Sequence, residues 1–196
     1  MKSRLDSVLE GLHPSRTIQD ISRRVDEAIN SFYVEYDVTH KWHMFETMMV
    51  NFIRHLQSHI FDVESMPETH SGLYWGQCLD IFKKLYGQNG EKTAFDIVRS
   101  NSEGGIRKVL DNFAREVAKH YAQNEINAKV WFFWNNLSND ERFAVIQEYI
   151  EKYSHLIPEE LRDGFPGRIY ANMPTLLLKH PYIIDAMNRG HRNRKQ

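Results

Sequence analysis

Residues 106–120 read IRKVLDNFAREVAKH, and this stretch decides the fold class. Ile106, Val109, Leu110, Phe113 and Val117 recur at intervals of three and four, so at about 100° per residue they share one stripe of an α-helix. A half-buried strand would alternate apolar and polar residues instead, and the charged pairs between these positions do not allow it. His120 falls on the same stripe, which predicts a buried histidine, with Glu116 one turn earlier favouring its protonated form.

Working outward, the same spacing recurs in both directions. A short helix over about 3–12 stops at His13-Pro14, because a residue before proline is pushed out of the α region. The next carries Ile18, Ile21, Val25, Ile29 and Phe32 on one stripe. Thr39 caps a long helix to about Phe61, and another over 71–86 buries Leu73, Leu79, Phe82 and Leu85. A short helix covers about 92–99, and a separate aromatic one runs from about Glu125 to Leu137. Ser138 with Glu141 three residues on is a capping box for a helix to about Ser154. Pro158, Gly164, Pro166, Gly167 and Pro174 predict the least regular stretch of the chain. A last helix, interrupted near His180-Pro181, ends at Gly190.

Composition agrees with this reading. Ten Gly and six Pro are too few for the many tight turns of a sandwich or barrel. Hydrophobic residues at 41% separate the chain from disordered sequences. The expected architecture is all-α: a single compact bundle of roughly eight to ten mostly antiparallel helices over residues 1–188, with 189–196 a short basic tail. Arg189, Arg192, Arg194 and Lys195 lift a body of charge −5 to the formal net of −1. An acidic body with a basic tail lacks the basic face of a nucleic-acid binder, so Arg192, Arg194 and Lys195 are candidates only for weak, salt-sensitive contact with an anion or nucleic acid. The single cysteine, Cys78, excludes an internal disulfide and reads as a small buried thiol. No apolar run approaches the roughly 18 residues of a membrane span, and the N-terminal residues lack a signal-peptide core. A cytoplasmic protein is expected.

The motifs that carry chemistry are then tested against the helix each sits on. Gly87-Gln-Asn-Gly90-Glu-Lys92-Thr93 resembles a phosphate loop but puts Glu91 between Gly and Lys, and a helix leads into it. On the helix over 39–61, Trp42, Phe45, Met49, Phe52, Ile53, Leu56 and Ile60 form the apolar stripe. His55 and His59, one turn apart, border one edge; His43 and Glu46 border the other, more than about 100° away. His40 belongs to the same helix, and the four histidines cannot converge on one ion from a straight helix. His55 and His59 can supply two neutral imidazole ligands, with His120 or Glu116 completing the shell. Glu151 and His155 have a similar spacing but lie opposite Ile146 and Ile150, so they are expected in solvent. No Gly-x-Ser-x-Gly nucleophile turn occurs.

On the aromatic helix, Ile126, Val130, Phe133, Trp134 and Leu137 share a face, whereas Trp131 and Phe132 point elsewhere. An aromatic surplus of this kind predicts either a central helix or one covered by a partner. The expected function is therefore a non-enzymatic regulatory, adaptor or assembly subunit, without a cofactor, that binds another protein or a second copy through Trp131 and Phe132. The alternative is a metal-dependent bundle of oxidase or hydrolase type, holding a divalent transition metal at His55, His59, His120 and Glu116.

Overall fold

A computed structural model describes residues 3–36, 45–60, 76–78, 80–81, 84–85, 105–162 and 167–192. Among these residues the regular structure is helical, with no strand. The helices are α1 (Arg4–Gly11), α2 (Pro14–Glu35), α3 (Phe45–Ile60), α4 (Gly105–Asn136), α5 (Asn139–Tyr153), a single turn α6 (Glu159–Arg162), α7 (Gly167–Leu178) and α8 (Pro181–Arg192). A 3-10 turn, Ser154–Leu156, follows α5. No described helix is long and apolar enough to cross a membrane.

The all-α expectation holds, but the number of helices does not. Seven α-helices longer than one turn occur among the described residues, fewer than the eight to ten expected. One reason lies in α4. Residues 118–124, expected to separate two helices, contain neither Gly nor Pro, and the backbone continues unbroken for 32 residues. The expected helices over 71–86 and 92–99, the Gly87–Thr93 loop and His40 and His43 lie wholly or largely outside the described residues.

The chain divides into two compact units. The first comprises Met1–Gln19 and Ala122–Gln196, the second Asp20–Tyr121. In the first, α1 packs on α5, α5 on α7, and α7 on α8. Its buried residues include Leu5, Leu9, Ile126, Val130, Val145, Tyr149, Ile169, Leu176 and Ile183. Helix α1 starts under two caps. The Ser3 hydroxyl accepts from the Asp6 amide at 3.1 Å, and the Glu148 carboxylate of α5 accepts from the amides of Arg4 (3.0 Å) and Leu5 (2.8 Å). A carboxylate on the exposed amides of a helix start satisfies orphan donors and meets the positive end of the helix dipole.

Helix α1 ends as expected ahead of His13-Pro14, at Gly11 with Leu12 as its C-cap, and His13 adopts φ 44°. Ser138 and Glu141 form the capping box of α5, with the Glu141 amide donating to Ser138 Oγ and the Ser138 amide donating to the Glu141 carboxylate. Two expectations about the C-terminal part need correcting. Residues 167–178 are helical despite Pro174, which is buried inside α7, so the loss of one amide donor is outweighed by apolar packing around Met173, Leu176 and Leu177. Helix α8 continues through Gly190 to Arg192. The interruption near Pro181 is present: Pro181 takes the first position of α8, and the buried His180 caps it by accepting the Tyr182 amide on Nδ1 at 3.1 Å.

The second unit is built on Val25, Ala28 and Phe32 of α2, Phe52, Ile53, Leu56 and Ile60 of α3, and Leu110, Phe113 and Ala114 of α4, all buried. Phe32 meets Phe52 edge-on with ring centroids 4.9 Å apart. Tyr33 donates to Asp111 Oδ1 at 2.6 Å, and the Arg107 guanidinium lies over its ring at 4.7 Å. The Phe32–Phe52 contact brings α2 against α3, which assembles the candidate site.

Candidate functional site

Helix α3 buries the stripe Met49, Phe52, Ile53, Leu56 and Ile60, leaving His55 and His59 half-buried at its edge. Four residues apart on a helix, the rings lie one above the other, and their centroids are 4.5 Å apart. Ser31 and Glu35 of α2 have the same four-residue spacing and lie alongside. Ser31 Oγ is 2.6 Å from His55 Nε2 and 3.4 Å from His59 Nε2, so both nitrogens face one oxygen.

The other ring nitrogens are also accounted for. His59 Nδ1 is 2.9 Å from the main-chain carbonyl of His55. A carbonyl only accepts, so the proton of a neutral His59 sits on Nδ1 and its Nε2 presents a lone pair. His55 Nδ1 lies 3.9 Å from Glu35 Oε2, a carboxylate that favours a proton on that nitrogen. Burial, and then the neighbouring His59, push the His55 pKa below its ordinary value; Glu35 and the Ala28 carbonyl act in the opposite sense without reversing it. His55 is thereby held neutral near pH 7, with Nε2 facing Ser31.

The geometry bears on two kinds of chemistry. Ser31, His55 and Glu35 are arranged in the order of a serine hydrolase triad, but Ser31 lies inside a 22-residue helix. Interior amides of a helix are spent on the carbonyls four residues back, so α2 itself offers no pair of N–H donors to stabilise an oxyanion beside the hydroxyl. Two imidazole Nε2 atoms face one position, and once His55 gives up the Nε2 proton that it shares with Ser31 and the Ala28 carbonyl, the pair fits cation binding better.

The remaining expected ligands are placed differently. His120 is exposed, contrary to the expectation of a buried ring. From Ala114 the buried positions of α4 follow a spacing of four, through Ala118, Ala122, Ile126, Val130 and Trp134. Each step of four overshoots a turn by about 40°, so the buried stripe has rotated away from the line of Phe113 by the time it passes His120. Glu116 is ion-paired with Lys119 on the same helix. Among the described residues no three His, Cys, Asp or Glu side chains gather to hold a metal ion. The side chains of Glu46, Arg192, Arg194 and Lys195 are not among those described. Glu151 and His155 are exposed, as expected.

Trp131 and Phe132 are also exposed, at 46% and 68%. With Ala128 and Asn135, likewise exposed, they form an uncharged stripe at positions i, i+3, i+4 and i+7 of α4. Phe143 of α5, in the same unit, is 56% exposed.

Sequence reasoning did not find Ser31 or Glu35. They sit at the edge of the α2 stripe and acquire meaning only once α2 lies against the His55 edge of α3, a pairing that periodicity does not encode. Comparison with protein-family models, curated proteins and solved structures finds no match.

Proposed function

We propose that the chain is a cytoplasmic, non-enzymatic interaction protein, a regulatory, adaptor or assembly subunit that binds another protein or a second copy of itself through the exposed face of α4. The observation that supports this reading is the Ala128–Trp131–Phe132–Asn135 stripe. Its spacing is the one by which a helix presents anchors to an apolar groove or a second helix. Large exposed rings without an intervening charge are the residue type that dominates interface energetics, and covering either ring is worth roughly 1.5–3 kcal/mol. Within the first unit, the two-residue connections at Leu137–Ser138 and Lys179–His180 support mostly antiparallel packing of the helices that they join.

Sedimentation velocity over a wide concentration range, with co-purification from native cells, tests it. The expected result is either a dimer that Trp131→Ala shifts toward monomer, or a partner that the wild type retains and Trp131→Ala/Phe132→Ala loses. A monomer whose partners are identical for wild type and the double variant overturns the proposal.

A further inference from the structure

We infer that His55 and His59 form a chelating site for one borderline divalent transition cation, of which Zn²⁺ is the representative, with Ser31 and Glu35 of α2 as its outer groups. Four features converge on this. First, both Nε2 atoms face a single point, marked by Ser31 Oγ at 2.6 and 3.4 Å. Second, the Nδ1 of His59 is tied to the His55 carbonyl at 2.9 Å, which sets the tautomer that ligation through Nε2 requires. Third, the Glu35 carboxylate stands 3.9 Å from His55 Nδ1, on the side away from the ligating nitrogen. A carbonyl on one ring and a carboxylate on the other are the partners that ligating histidines ordinarily have behind them, where they fix ring orientation and raise basicity. Fourth, all three side chains facing the point are partly exposed, so an ion and its waters have access.

The donor set selects the ion. Among the described residues, two imidazole nitrogens and no carboxylate stand at the convergence point, a set that suits Zn²⁺, Ni²⁺ or Cu²⁺ rather than Ca²⁺ or Mg²⁺, which take oxygen ligands. An ion about 2.0–2.1 Å from both nitrogens lies on the side Ser31 Oγ now faces, with water or that hydroxyl in the remaining positions. Two protein ligands leave exchangeable positions, so the site binds reversibly and differs from a closed structural zinc centre.

Calorimetric titration of Zn²⁺ into the untagged, chelator-treated full chain at pH 7.5 tests the assignment. One equivalent is expected, with no heat from Mg²⁺. His55→Ala and His59→Ala should each weaken that equivalent by more than about tenfold, and Glu35→Gln, which removes an outer partner, by up to about tenfold. In the unmutated chain, nitrogen-15 spectra of the imidazoles should show the Nε2 signals of His55 and His59 moving together at one equivalent, a readout independent of any variant's folding. The inference is overturned if those two signals stay in place at saturating Zn²⁺, or if a folded His55→Ala/His59→Ala chain keeps the equivalent within twofold.

Discussion

His59 donates its Nδ1–H to the main-chain carbonyl of His55, 2.9 Å away and one turn earlier on α3. That single bond determines which nitrogen of His59 carries the proton and turns its Nε2 toward Ser31. The edge of α3 is therefore organised from within its own helix, and α2 completes it from the side.

The first prediction concerns mild acid. Burial lowers the pKa of both His55 and His180, with His59 adding to the shift at His55; Glu35 near His55 and Asp6 near His180 oppose it. A histidine whose folded pKa lies below its unfolded value of about 6.5 takes up its proton preferentially when unfolded. Stability from these groups is thus fully present above pH 6.5 and is lost as pH falls from there through the folded pKa values. Urea denaturation at pH 7.5, 6.5 and 5.5 should give a falling free energy over the last interval, and His180→Asn, which retains a capping oxygen, should flatten part of the slope.

His180 has a second consequence. Its Nε2 is buried without a hydrogen-bond partner among the described residues, while Nδ1 caps α8. An orphaned buried donor costs about 1–3 kcal/mol; Asn brings amide N–H donors of its own to the same place and gives up packing against the Tyr153 ring, 4.4 Å away. Neither effect is a gain, so His180→Asn should lower stability at pH 7.5 by up to about 3 kcal/mol. A loss above about 3 kcal/mol, measured by the same denaturation, contradicts the placement.

Glu148 anchors α1. Its burial raises the carboxyl pKa, but the amides of Leu5 and Arg4, the Ser3 hydroxyl and Lys152 together bring it below the ordinary value. Its contribution is present above the unfolded carboxyl pKa and is lost as pH falls through the depressed one. Glu148→Ala should lower stability by about 1–2 kcal/mol at pH 7, the range for losing a helix N-cap, and the effect should vanish in strong acid. Thermal denaturation of both chains at pH 7 and pH 3 checks both parts.

The same helices show how much of the fold was legible in the sequence. The stop of α1 before Pro14 and the Ser138–Glu141 box were readable because each is a local steric or hydrogen-bonding event. The continuity of α4 was not, since a polar stretch such as residues 118–124 neither breaks a helix nor marks it. Nor was the exposure of His120, because a stripe drawn from Ile106 to Val117 assumes a straight seam, whereas the buried positions follow a spacing of four. At the candidate site, His55 and His59 were visible from their spacing. Ser31 and Glu35 were not, as their role depends on which helix lies beside α3.

His13 offers a backbone test. At φ 44° it occupies the left-handed region, where a Cβ crowds the following carbonyl at a cost of about 1–2 kcal/mol. His13→Val, with branching at Cβ, should lower the denaturation midpoint clearly; His13→Gly should leave it unchanged or raise it, its relief of strain set against about 0.5–1 kcal/mol of added unfolded-state entropy.

The proposed binding face requires Trp131 and Phe132 to be covered when the protein works. Hydroxyl-radical footprinting reads this at the two side chains, in the purified chain at high concentration and in extracts of the cells that make it. Protection of both rings, relative to the dilute purified chain, is expected in at least one of those settings. Oxidation of both at the dilute rate in every setting would contradict it.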